Sequence, residues 1–345
     1  MFKSFITILL ALLVLVGAKF VIGMGESKTH PYILEYDDKN LGTPFLPSHN
    51  ELTVEGVQLG RLLFYDPLLS SNNEMSCGTC HVQRKAFTDG RKLSIGTYGD
   101  TLTKNAMSLV NLAWSNEFFW DGRVTSLEKL VRDPITNPLE MGQDTIALVE
   151  ELKTHLYYPK LFEEAFPGEV VSMVNISKAI AQFLRTLVSN GLKVDYNSFL
   201  TDNYEDDYKT EAEIAKEKSL RGSFVRFSDM CSPCHSGGIY GNMFMADNAV
   251  SDSTKAPSLL NIMHTAPYMH DGRFDRLEQV LQHYQTHLDS LPSLNADMEL
   301  NTVNMLTQYD VDHADDIFSL FEDTSILTNP AFSNPFTENF TWADE

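Results

Sequence analysis

Every cysteine of the chain lies in one of two five-residue motifs, Cys77-Gly78-Thr79-Cys80-His81 and Cys231-Ser232-Pro233-Cys234-His235. Both read C-x-x-C-H. At that spacing two thiols can add to the vinyl groups of one porphyrin while the adjacent imidazole reaches the iron, the attachment signature of haem c. Two copies that use all four cysteines leave none for the disulfides otherwise expected of an exported chain. Zinc fits less well, because zinc sites have no fixed need for a histidine directly after the second cysteine. A thioredoxin-like redox pair fits less well still. Two covalent haem c groups are therefore expected, one on Cys77, Cys80 and His81, the other on Cys231, Cys234 and His235.

A second pattern follows each motif. Residues 106–111 (AMSLVN) match 256–261 (APSLLN), and Asp121-Gly122-Arg123 with Leu127-Glu128 match Asp271-Gly272-Arg273 with Leu277-Glu278, always 150 residues apart. The chain reads as an internal duplication with one haem per half. Its 345 residues suit roughly two domains. Apolar residues recur at helical spacing over 146–166 and 177–187, 211–220 reads as an exposed charged helix and 277–288 as another helix, with no convincing run of alternating strands. The expectation is an all-α fold of two cytochrome c-like haem domains, 31–203 and 204–345, divided near the acidic stretch 201–207.

Residues 1–24 stand apart. Lys3 precedes a twelve-residue apolar run, 5–16, interrupted only by Thr7. That length suits a signal-peptide core better than a full span, although without an A-x-A site an uncleaved membrane tether stays open. Either way the body is expected outside the cytoplasm. The net charge of −21 argues against nucleic acid, whose phosphates it would repel. It would steer a basic partner, such as a small cytochrome c or cupredoxin, or serve only to keep the protein soluble.

The repeat allows a comparison within the chain. Tyr284 falls in the helix after the second DGR motif, and its counterpart 150 residues earlier is Pro134. If Tyr284 is an axial ligand, the haem on His235 has both faces filled, while the haem on His81 keeps one face open to an oxidant. A plain core tyrosine is the alternative, and His283, His287, Met263 and Met269 compete as ligands.

Several long motifs, in order, resemble the bacterial di-haem cytochrome c peroxidase and MauG superfamily over about Gly60 to Pro335: 59–67 (LGRLLFYDP), 76–81 (SCGTCH), 86–89 (AFTD), 119–123 (FWDGR), 138–141 (PLEM), 183–187 (FLRTL), 231–238 (CSPCHSGG) and 265–273 (TAPYMHDGR). The resemblance implies roles. His81 would be the proximal ligand of the peroxidatic haem. Glu140 would be the distal acid–base group that moves a proton between the peroxide oxygens. Trp120 would lie between the haems and help electrons pass. His235 and Tyr284 would ligate the second haem, at a position that is methionine in typical cytochrome c peroxidases and tyrosine in MauG. Asn105 with the backbone carbonyls of Thr265 and Pro267 would hold a calcium ion. A periplasmic location and a homodimer are the family's usual state.

Two departures carry consequences. Residues 82–118 contain no histidine, where typical peroxidases place one that caps the first iron until reduction releases it, so the first haem is expected to be five-coordinate as isolated. Leu130 stands where the family has a catalytic glutamine, which puts the efficiency of peroxide activation in question. The leading expectation is reduction of hydrogen peroxide with electrons from a periplasmic donor. A MauG-type oxidase acting on a partner protein or small molecule is the second. A two-haem electron carrier, inert to peroxide, is the third.

Overall fold

The computed structural model describes residues 29–190, 210–287 without 233, 236–244, 247, 249 and 252, and 306–336. The N-terminal apolar run, the boundary at 201–207 and residues 236–238 of the second haem motif lie outside the described residues. Within them the chain is mostly helical, as expected. The exception to the all-α expectation is a pair of two-residue antiparallel strands, Met245–Ala246 and Thr254–Lys255, besides isolated bridges.

The first half is built on two helices packed against each other. Val54–Tyr65 is capped by Thr53, whose hydroxyl accepts from the Gly56 N–H, and Met173–Thr186 is capped in the same way by Ser172. A Cβ on Gly60 would stand 1.9 Å from the Ala179 carbonyl oxygen, so glycine lets these helices approach. Phe64 packs against Phe87 and Phe183 at the centre of the apolar cluster. The helix Leu127–Thr136 lies against the same Met173–Thr186 helix. The two are tied by Arg185, only 4% exposed, which pairs with Glu128 at 2.9 Å.

The helical spacing over 146–166 resolves into two helices, Thr145–Thr154 and Tyr158–Ala165. Pro159 explains the break: in a continuous helix it would lack the N–H for the residue 155 carbonyl and its ring would clash there. At a helix's first turn it costs nothing.

In the second half, the helix expected over 211–220 runs the full length of Glu211–Cys231 and so delivers the first cysteine of the second motif. Its later turns bury Phe224 and Phe227 against Phe318 and Phe321. Arg226 donates to both carboxylate oxygens of fully buried Asp310, at 2.8 and 2.5 Å. Burial alone would raise that carboxyl, but Arg226, Ser223 and Thr307 hold it well below the usual range. The chain end returns to the first half: Ile326, Leu327 and Phe332 join its apolar cluster, and the Tyr65 hydroxyl donates to the Phe332 carbonyl at 2.6 Å.

The 150-residue register has a geometric counterpart. Asn111 and Asn261 both take left-handed backbone (φ 58° and 59°), as do Phe119 and Met269 (63° and 72°) and Gly122 and Gly272 (65° and 60°). Short 3-10 turns follow at Leu112–Trp114 and Ile262–His264, bridges at Phe118–Val124 and Tyr268–Phe274, and helices at Leu127–Thr136 and Leu277–His287. The side-chain oxygens of Asn111 and Asn261 each accept a backbone N–H, from Ser189 and Asp323, both at 2.8 Å. Where the halves meet, the Asn105 N–H donates to the His270 carbonyl and the Lys255 N–H to the Trp120 carbonyl, both at 2.8 Å. These two bonds exchange equivalent positions of the repeat.

Candidate active site

Two cavities flank this junction, each opening on one C-x-x-C-H motif. The first, of about 590 Å³, is lined by Cys77, Cys80 and His81. The second, of about 140 Å³, is lined by Cys231, Cys234 and His235. In both motifs the histidine is held in the same way. His81 Nδ1 lies 2.8 Å from the Phe87 carbonyl and His235 Nδ1 lies 2.8 Å from the Pro257 carbonyl. A carbonyl only accepts, so each Nδ1 carries the proton and each Nε2 keeps the lone pair a metal needs. Burial pushes both imidazoles down, His235 to about 4, so they stand neutral.

The thiols fit attachment rather than redox exchange. Burial pushes Cys77 up to about 12 and Cys80 to about 11, and raises Cys231 and Cys234 as well. A reactive Cys-x-x-Cys pair would have a lowered thiol. Neutral imidazoles with a free Nε2, unpaired cysteines and an apolar cavity over each motif make a donor set that suits porphyrin in both halves.

The cavities differ in the wall contributed by the equivalent helices. Tyr284 faces the second cavity, whereas its counterpart Pro134 faces the first. Burial raises the Tyr284 phenol, and the thiols of Cys231 and Cys234 add to the shift, a measure of how close the ring stands to the motif. Of its competitors, Met269 also lines the second cavity, but His283, His287 and Met263 do not. His283 Nε2 is taken up by the Asn248 carbonyl at 2.8 Å, His287 Nδ1 by the His283 carbonyl at 2.8 Å, and Met263 packs in the second apolar cluster. Among the described residues lining the first cavity, His81 is the only histidine.

Glu140 and Leu130 line the first cavity. The backbone of Glu140 is fixed from two sides: its N–H donates to the Asn137 carbonyl and its carbonyl accepts from the Thr97 N–H. The loop carrying Thr97 comes so close that a Cβ on Gly96 would sit 1.8 Å from the Leu139 carbonyl oxygen. Asn137 Nδ2 donates to Glu140 Oε1 at 2.8 Å. Burial raises the carboxyl, opposed by Asn137 and by Arg123. Trp120 lines both cavities and donates from Nε1 to the Asn105 carbonyl at 2.8 Å.

Asn105, Thr265 and Pro267 all line the second cavity. Asn105 Nδ2 is used by the Arg91 and Lys92 carbonyls, at 2.7 and 3.3 Å, which leaves Oδ1 as the side chain's acceptor. Among the described residues neither the Thr265 nor the Pro267 carbonyl accepts a hydrogen bond. Three neutral oxygens with free lone pairs suit a hard cation.

Sequence reasoning passed over two residues here. Asn137 adjoins the 138–141 motif, but only the folded turn shows its amide on the carboxylate. Lys255 is fully buried and lines both cavities. Its place as the 150-residue counterpart of Asn105 was a signal that could have found it.

Helical halves, each setting a haem-attachment motif beneath a cavity and sharing a tryptophan wall, define a di-haem c protein. Residues 54–205 match the family described as di-haem cytochrome c peroxidase. The methylamine utilization protein MauG of Methylophilus methylotrophus is 31% identical over 287 residues, which cover 77% of this chain and 82% of that protein. The cytochrome c551 peroxidase of Nitrosomonas europaea is 30% identical over 249 residues, covering 66% and 71%. A solved structure of a MauG-like protein associated with microbial copper homeostasis superposes with a TM-score of 0.71 at 27% identity, covering 89% of this chain and all of that one. The chain belongs to the di-haem cytochrome c peroxidase and MauG family, and is an oxidoreductase of the peroxidase class.

Proposed function

We propose that the protein reduces hydrogen peroxide to two waters, taking two electrons from a small periplasmic donor such as a cytochrome c or cupredoxin and two protons from solvent. Glu140 on the wall of the first cavity carries the reading. Bound haem supplies the redox chemistry of O–O cleavage. The chain supplies the proton path: the Glu140 carboxylate takes a proton from one peroxide oxygen and returns it to the other as that oxygen leaves. Asn137 holds Oε1, and Oε2 is then the oxygen turned to the substrate. Leu130 offers no hydrogen bond, so the polar work falls on Glu140 and its neighbours. His81 and His235 would be the proximal ligands, Tyr284 the second ligand of the haem on His235, and Trp120 the group between the haems. The shared geometry at the 150-residue offset supports two haem domains derived by duplication, here taken as 31–203 and 204–345.

The second reading is a MauG-type oxidase, in which peroxide oxidises a partner protein or small molecule at a distance. Tyr284 on the second cavity favours it, since an oxygen ligand stabilises ferric iron and lowers the potential at which donors can feed it. Stopped-flow spectra with peroxide, with and without reduced cytochrome c, separate the readings. Peroxidase activity predicts stoichiometric oxidation of the cytochrome, whereas the oxidase predicts a spectral change with negligible donor consumption. Absence of any peroxide-induced change would overturn both. The resting spectrum should contain a high-spin component from the open first haem, and a purely low-spin spectrum would count against that open face.

Asn105 Oδ1 and the carbonyls of Thr265 and Pro267 would hold one calcium ion, with waters completing the six to eight oxygens it takes. Metal analysis should find one calcium per chain in the wild type and none in Asn105→Leu. Equal calcium in the two would refute the assignment.

A further inference from the structure

Lys255 is the most buried cation among the described residues, 2% exposed. Its ammonium has three donors to satisfy. One reaches Ser115 Oγ at 2.8 Å, a hydroxyl that itself donates to the Glu117 carbonyl. Beyond it the Phe118 ring centroid lies 5.4 Å away. Among the described residues no carboxylate forms an ion pair with it, although the Glu117 charge acts at longer range. Arg185, the next most buried cation, has Glu128 at 2.9 Å. Burial accordingly pushes the Lys255 ammonium down to about 7, with Glu117 only partly opposing. Burying a charge is costly unless it is paired, so a buried cation with no counter-charge among the described residues points to a partner of opposite charge.

The lysine's position suggests what supplies the missing charge. Its own N–H is fixed to the Trp120 carbonyl at 2.8 Å, and the residue lines both cavities at the wall where they meet. Each haem c carries two propionate carboxylates. We propose that Lys255 is a carboxylate-binding residue whose ammonium pairs with a haem propionate at the junction of the two cavities. The inference rests on haem filling both cavities. The added carboxylate completes the ammonium's hydrogen bonds and keeps it charged. The retained positive charge opposes the propionate's field at the iron, which favours the ferrous form and raises that haem's reduction potential.

The test compares Lys255→Met, which keeps the length and loses the charge, with Lys255→Arg, which keeps the charge. Mass spectrometry first counts covalent porphyrins: fewer than two on the wild type would refute the haem reading itself, not this assignment. With two present, Lys255→Met should lower the potential of at least one haem in a spectroelectrochemical titration. It should also shift a propionate bending band in the resonance Raman spectrum, and Lys255→Arg should restore both toward the wild type. Wild-type potentials and propionate bands in Lys255→Met would overturn the proposal. A measurement on the wild type keeps it exposed if the variants do not mature. With ¹⁵Nζ-labelled lysine in the haem-loaded protein at pH 9, every lysine nitrogen should appear as ammonium. A neutral amine signal would show Lys255 uncharged and overturn the pairing.

Discussion

Glu140→Gln is expected to keep both haems and to react with hydrogen peroxide about 10²–10⁴-fold more slowly than the wild type, the usual contribution of a placed acid–base group. The amide has nearly the shape of the carboxylate and can still accept from Asn137 Nδ2, so the turn held by the Asn137 and Thr97 backbone bonds should survive. What it loses is the ability to take a proton and give it back. The wild type also predicts a direction with pH. Burial raises the Glu140 carboxyl above the ordinary glutamate range, against Asn137 and Arg123. The proton-accepting form is present above that raised value and is lost as pH falls through it, so the rate of reaction with peroxide should drop on the acid side sooner than for an exposed glutamate. Stopped-flow rates across pH check both points. A Glu140→Gln rate equal to that of the wild type, with the same acid limb, would remove Glu140 from the mechanism.

The haem motifs and the repeat were legible in the sequence for a physical reason. Covalent attachment demands a fixed local spacing, so Cys77, Cys80 and His81 announce a site without any knowledge of the fold. The 150-residue register was legible because the same turn needs the same residues: Asn at a left-handed position in 111 and 261, and Gly at 122 and 272. That register put Tyr284 opposite Pro134 in comparison, and the structure puts them on the walls of equivalent cavities. Long-range packing was not legible. The spacing of 146–166 cannot distinguish one amphipathic helix from two that share a face, although Pro159 marked the break. The helix from 211 looked exposed because its early turns are charged, and only the arrival of Phe318 and Phe321 buries Phe224 and Phe227. The return of 326–336 to the first half depends on bonds such as Tyr65 to Phe332, across more than 260 residues. Lys255 escaped notice because a lysine in a polar sequence context reads as surface; its burial is a property of the junction between halves.

Tyr284→Met should change the protein's division of labour more than any other single substitution outside the haem motifs. The side chain faces the cavity above His235, and Met is unbranched and flexible enough to follow the space the ring leaves. Replacing a phenolic oxygen by a thioether favours the ferrous form, and axial ligands tune haem potentials over a range of ~0.8 V, so a rise on the order of 10² mV is expected for the second haem. Its reduction by cytochrome c then becomes favourable, and peroxide-dependent consumption of reduced cytochrome should increase. The first haem should hardly respond, since Pro134 and Glu140 are untouched. Spectroelectrochemical titration reads the potentials, and steady-state turnover reads the donor. Two outcomes distinguish the candidate ligands. If Tyr284→Phe and Tyr284→Met both leave the second haem's spectrum and potential unchanged, the phenol does not bind iron, and Met269, the other candidate on that wall, becomes the ligand to test. If Tyr284→Met raises the potential without raising donor consumption, the second haem is not the electron entry point, and the oxidase reading gains over the peroxidase.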